Sequence, residues 1–270
     1  MSDFDRNAVA GRYGQTVGRE EAAIDQGLRS YMLHIYNYMV LGLAITGFAA
    51  LGIYMLSITG DASAAARSTT GAAIALRGGQ YLTSFGYAVF VSPLKWAIIL
   101  APLALVFVIS FGVHRMRPAM AQILFWIFAA LIGLSLGSIF MVYTHTSIVR
   151  VFFVTAASFG ALSLWGYTTQ RDLSGMGSFL IMGLFGVIIA SLVNIWLGSS
   201  MLQFVVSVVG VLVFAGLTAW DTQRLKNEYI YGAMEGEGME RSAILGALSL
   251  YLNFINLFTL LLQLLGQREE

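Results

Sequence analysis

Between Gln26 and Trp220 the sequence carries just two acidic side chains, Asp61 and Asp172, and a soluble fold of that length could not cover its surface with so little charge. Over all 270 residues, 58% are hydrophobic and 11% are Asp, Glu, Lys or Arg, against roughly a quarter charged in an ordinary soluble domain. Lipid has to cover what water cannot. A bilayer core needs about 20 predominantly apolar residues per helix. Seven stretches meet that need: 31–56, 95–112, 119–142, 148–167, 175–197, 201–220 and 243–265. The fifth and sixth are separated by Gly198, Ser199 and Ser200, which leaves room for nothing but a tight hairpin at the membrane surface. The expected architecture is an all-α integral membrane protein, a seven-transmembrane-helix bundle forming one domain.

Around that domain (residues 30–266) the sequence predicts a polar tail over 1–29 and a short tail over 267–270. The first tail mixes Arg6, Arg12, Arg19 and Arg29 with Asp3, Asp5, Glu20, Glu21 and Asp25 and has no apolar core of the kind a cleaved leader needs. The first apolar stretch is therefore expected to remain as a membrane span. The longest connection, 57–94, is rich in Ala, Ser, Thr and Gly in its first half and reads there as a flexible loop. Its second half, 81–91, is aromatic and apolar and suits the membrane interface.

Basic residues set the orientation. Arg6, Arg12, Arg19, Arg29, Arg115, Arg117, Arg171, Arg224, Lys226 and Arg241 fall on one side of the bundle, and Arg67, Arg77, Lys95, Arg150 and Arg268 on the other. The richer side is expected to be cytoplasmic. That places the N-terminus inside, and the 57–94 loop and the C-terminus outside.

Polar positions within the spans report which faces point inward, since lipid-facing surface is apolar. Ser242, Gly246, Ser249, Asn253, Asn256 and Gln263 recur at helical spacing along the seventh span. Two asparagines in mid-span are costly in hydrocarbon without partners, so this helix is expected at the centre. Gly133 and Gly137 in the third span, beside Ser135 and Ser138, suit close helix packing. In the sixth, Ser207, Gly210, Phe214, Thr218 and Asp221 share a face. Two readings of Asp221 stand at this point: a helix-end residue in the headgroup layer beside Arg224 and Lys226, or a titratable group facing the central helix.

Enzyme chemistry finds no footing in the sequence, and the expectation is a non-enzyme. His34, His114 and His145 are isolated, with no HExxH pair to hold zinc. There is no GxSG or rhomboid-like serine motif. Cysteine is absent, which removes thiolate metal sites and cysteine nucleophiles. A formal net charge of +1 offers nothing to nucleic acid.

Over its last two spans the chain resembles the Bax inhibitor family, the transmembrane Bax-inhibitor-motif proteins that include bacterial YccA-type members. The residues that carry the likeness are FAGLTAWDTQRLK (214–226) and AILGALSLYLNFINLF (243–258). Seven spans, a polar N-terminal tail and a short charged loop before the last helix agree with it. The resemblance implies a bundle with the seventh helix surrounded by the others, no cofactor, and a pH-sensitive calcium leak across a bacterial inner membrane. It further implies an aspartate near the end of the sixth helix paired with another in the seventh. Two such carboxylates share a proton because both cannot ionise cheaply side by side.

Asp221 matches the first position. The second departs from the pattern, for Asn253 stands where the family usually has aspartate. An asparagine can hydrogen-bond to Asp221 but cannot titrate. The resemblance thus implies a gate at Asp221 and Asn253 with weakened pH dependence. It also implies an arginine from the end of the second span as the stabilising cation, with Arg115 first and Arg117 next; both equally suit a headgroup anchor. Ser249, Asn256, Ser242 and Thr218 complete the expected polar face, and Asp221 is the expected weak calcium contact. Besides the lipid bilayer, the alternative reading predicts a membrane-protein partner such as a quality-control protease, with the chain acting as a non-conducting regulator.

Overall fold

The computed structural model describes residues 3–67, 72–76, 79–232 and 236–268, with the side chains of 3–24 and of His114 excepted. In lipid each backbone amide and carbonyl has to be satisfied within its own segment, so long apolar runs become helices. Those of the chain are α1 (Asp3–Ser57), α3 (Leu94–Gly112), α4 (Pro118–Leu136) continued by the short α5 (Ile139–Val142), α6 (His145–Thr168), α7 (Ser174–Leu197), α8 (Ser200–Tyr231) and α9 (Glu237–Leu265). Seven of the described segments are long and apolar enough to cross a bilayer: Asp25–Ser57, Leu94–Gly112, Pro118–Val142, His145–Thr168, Ser174–Leu197, Ser200–Tyr231 and Glu237–Leu265. These are the seven spans expected from the sequence.

The last helix is the hub. In its apolar stretch 61% of residues are buried, against 11% in α3 and in α7. It packs against α1, α4, α6 and α8, while α3 leans on α4 and α7 on α8. The ring around α9 thus has four members, with α3 and α7 outside it. Leu250 and Tyr251 are fully buried at its middle, and the edges of the Phe125 and Phe128 rings meet Tyr251. The Tyr251 hydroxyl pairs with Thr46 Oγ1 of α1 at 2.6 Å, and Thr46 donates on to the Ala129 carbonyl of α4 at 2.9 Å. One buried threonine therefore ties three helices together.

Small residues let the helices approach. A Cβ on Gly133 would lie 2.5 Å from the Thr46 carbonyl oxygen, and one on Gly137 would lie 2.3 Å from Ile53 Cγ2. The glycine pair thus seats α4 against α1, as its spacing predicts. Between α7 and α8 the turn is as short as expected. Gly198 takes the left-handed conformation (φ +59°) that closes α7, and the Ser199 hydroxyl accepts from the Leu202 amide to open α8.

The connection after α1 differs from the flexible loop expected. Strand β1 (Ile58–Thr59) pairs antiparallel with β2 (Tyr81–Leu82), and bridges join Ala65 to Thr83, Arg67 to Ala73 and Ala75 to Tyr81. Small and β-branched residues there make backbone pairs that a reading by composition does not see. Thr83 then caps the short helix α2 (Ser84–Phe90). Residues 68–71 and 77–78 of this loop, Arg77 among them, lie outside the described residues. At the far end of the chain, Gln267 accepts from the Thr144 amide at 3.0 Å and donates its own amide to Ser147 Oγ at 2.9 Å. The C-terminus is thereby fastened to the corner where α6 begins.

Candidate functional site

The sixth span does not end where its hydrophobicity does. α8 continues through Asp221 to Tyr231, since Thr222–Tyr231 includes no glycine or proline to stop it. Asp221 consequently sits inside a helix, 4% exposed, and faces α9. The helix-end reading is set aside by that geometry.

Its carboxylate is held from two helices. Oδ2 accepts from Asn253 Nδ2 at 2.7 Å and from Ser249 Oγ at 2.8 Å. Ser249 and Asn253 are one turn apart on α9, so both reach a single oxygen. Oδ1 pairs with the Arg224 guanidinium at 2.8 Å. Arg224 lies three residues along α8, and its side chain is 45% exposed. Its guanidinium rests over the Trp220 ring, 5.0 Å from the centroid. Trp220 is itself fixed by α7, where a Cβ on Gly177 would come within 2.3 Å of the indole. The cluster comprises one anion, one cation and two neutral donors, so it is neutral overall, which suits its depth.

The structure corrects the expected cation. Arg115 is exposed at the end of the turn that follows α3, and no hydrogen bond or ion pair among the described residues joins it to Asp221. α3 packs on α4, away from α8. Continuation of α8 instead brings Arg224 onto the same face as Asp221. Arg117 is likewise exposed.

Other members of the expected polar face are dispersed. Thr218 is buried beneath Asp221 but donates to the Phe214 carbonyl of its own helix. Asn256 donates back to the Leu252 carbonyl. Ser242 belongs to a separate cluster toward the α8–α9 turn, where it meets the Tyr31 hydroxyl at 2.7 Å and Glu228 Oε1 at 2.8 Å. Between that cluster and Asp221 lies an apolar plug. A Cβ on Gly246 would fall 2.7 Å from Leu225 and 3.2 Å from Ile35, and Leu225 is one turn beyond Asp221.

Two elements of the interior escaped the sequence reading. Thr222 pairs with Ser163 of α6 at 2.9 Å, and Ser163 pairs with the Tyr36 hydroxyl of α1. Gln223 holds the α6–α7 loop through the Leu173 amide and the Arg171 carbonyl, at 2.8 and 2.7 Å. A signal for Thr46 was present: it is the one polar side chain between Tyr38 and Tyr54.

For a metal, the donor set is thin. Among the described residues no group of three or more His, Cys, Asp or Glu side chains could hold an ion. Asp221 has both oxygens engaged, so a cation reaching it must displace Arg224 or one of the α9 donors.

A family model described as "Inhibitor of apoptosis-promoting Bax1" matches residues 28–270. The uncharacterized protein RP147 of Rickettsia prowazekii is 44% identical over 255 residues, covering 94% of this chain and 97% of its own length. An uncharacterized protein of Caulobacter vibrioides is 40% identical over 272 residues, the full length of both. The inner membrane protein YbhL of Escherichia coli is 43% identical over 245 residues, which is 90% of this chain and 94% of YbhL.

Proposed function

The chain belongs to the Bax inhibitor family and is a multi-pass inner-membrane protein, and from that premise we propose that it is a leak path for small cations, calcium foremost, gated at Asp221. The observation that carries the reading is the buried Asp221 carboxylate clamped between α8 and α9 by Asn253, Ser249 and Arg224. Opening separates α9 from α8 at this point and moves Leu225 off Gly246. It leaves one carboxylate to draw a cation in. In this chain the latch is an amide donor, so closing the path needs no proton. The leak is therefore weakly dependent on pH.

The test is calcium influx into liposomes holding the purified chain, followed between about pH 6 and about pH 8, the range into which a shared carboxyl proton is lifted. The wild type is expected to leak slowly with a flat profile. Asn253→Asp restores a pair of carboxylates and should make the profile steep. Asp221→Asn removes the charge and should lower calcium entry at every pH. Influx no greater than in empty liposomes for all three proteins would refute conduction.

One observation favours a second reading, that of a non-conducting regulator of another membrane protein such as a quality-control protease. Asn253 removes the second titratable group that a proton-operated gate would use. Deleting residues 1–25 separates the two readings: a regulator working through its tail loses its effect, whereas a pore continues to leak.

A further inference from the structure

α1 and α6 both pack on α9, yet between them the bundle is open to the side. They meet through Tyr36 and Ser163 at one end and through the Tyr54 and His145 rings at the other. Along that seam lie three cavities of about 740, 610 and 280 Å³. Met39 and Phe159 line both the first and the second; Leu43, Gly47, Phe152 and Phe254 line both the second and the third. They form one continuous groove, walled by α1 and α6 and reached by α9 at Phe254, Ile255 and Phe258 in its second and third parts.

The groove has one polar end. Asp25 and Arg29 line its mouth, one turn apart on α1, and are exposed. Among the described residues neither has an ion-pair partner. The polar atoms deeper in, Tyr36 and Ser163, already satisfy each other and Thr222. Beyond Met39 the lining is almost wholly apolar. From Asp25 to Met39 is about 21 Å along the helix, close to the roughly 15 Å of hydrocarbon in one leaflet plus part of the headgroup layer. Such a site is apolar along its length, with a fixed anion and a fixed cation where a lipid headgroup would lie.

We propose that this groove between α1 and α6 is a binding site for one zwitterionic phospholipid of the ethanolamine type, its phosphate on Arg29, its ammonium on Asp25 and an acyl chain laid along Met39, Phe159 and Phe254. The pairing of charges selects the headgroup: an anionic lipid would face Asp25, and a quaternary ammonium has no N–H to donate to it. The acyl chain bears on Phe254 of α9, the helix that also clamps Asp221.

Two glycines make the site testable. A Cβ on Gly160, which lines the first cavity, or on Gly47, which lines the second and third, meets nothing within 4 Å. Leucine at either position starts into open space at its Cβ and is expected to occupy the groove. The full chain in mild detergent is incubated with an equal mixture of phosphatidylethanolamine, phosphatidylglycerol and phosphatidylcholine, and bound lipid is read by native mass spectrometry. The wild type is expected to retain one phosphatidylethanolamine. Arg29→Gln loses a charge-assisted contact and should retain it roughly tenfold less. Asp25→Asn should abolish the preference over phosphatidylglycerol. Gly160→Leu should lose the lipid while unfolding at the wild-type temperature in lipid-free detergent, and Gly47→Leu gives a second reading should Gly160→Leu not fold. Equal retention of the three lipids by the wild type, or full retention in a folded leucine variant, would overturn the proposal.

Discussion

At Asp221 one carboxylate takes donors from two helices, and the donors are not equivalent. Asn253 is 5% exposed, so its amide is replaced by nothing when it is removed, whereas the half-exposed Arg224 leaves a place that water can reach. Asn253→Leu is therefore expected to cost about 1–3 kcal/mol, the penalty of a buried acceptor left short of a donor. Arg224→Gln should cost about 1 kcal/mol or less, as for a solvent-screened pair. Thermal unfolding in detergent reads both, and the reverse order would mean that the ion pair rather than the amide holds the helices. Much at this scale was legible beforehand. That Ser249 and Asn253 share a face follows from helical periodicity, and the family resemblance implied that Asn253 meets Asp221; that Ser249 reaches the same carboxylate oxygen is seen only in the structure. Arg224 as the partner did not, because it depends on α8 running on beyond its apolar part. Arg115 could not be excluded from sequence, since nothing local says that α3 stands outside the ring.

On the scale of single elements, hydrophobicity marks where hydrocarbon ends and not where a helix ends. Each of the seven spans was legible from length alone. α8 nevertheless extends to Tyr231, and α1 begins at Asp3, because charged residues leave the hydrocarbon without leaving the helix. Which glycines matter was also hidden, for α6 carries two of opposite kind. A Cβ on Gly166 would lie 2.2 Å from the Ala219 carbonyl oxygen of α8, and one on Gly160 would lie in open space. Gly166→Ala is expected to destabilise the chain by about 1–3 kcal/mol through forced separation of α6 from α8. Gly160→Ala should be neutral or stabilising by up to about 1 kcal/mol through helix propensity. Equal melting temperatures for the two variants would contradict the close packing of α6 on α8.

For the whole molecule, the arrangement of basic residues predicts that the α8–α9 turn faces the cytoplasm and Gln267 the opposite side. The sequence has no cysteine, so a single introduced thiol reports cleanly. Gln267→Cys in intact cells should react with a membrane-impermeant maleimide, and Gly238→Cys should react after lysis and not before. The opposite pattern would invert the topology. The hub position of the last span was foreseeable from its polar stripe, because Asn253 needs company that lipid does not offer. The membership of the ring was not, since it rests on which neighbours accept Gly133, Gly166 and Thr46.

That hub has a consequence for biogenesis. The helix at the centre leaves the ribosome after the other six, so those six reach the membrane before the helix they pack around. Until residues 243–258 arrive, Tyr251 is missing from Thr46, and Asp221 has Arg224 but neither α9 donor. A chain interrupted before that point leaves the Asp221 carboxylate without either α9 donor. Arrival of the hub and satisfaction of these buried groups are therefore one event, followed by the bond from the Gln267 amide to Ser147.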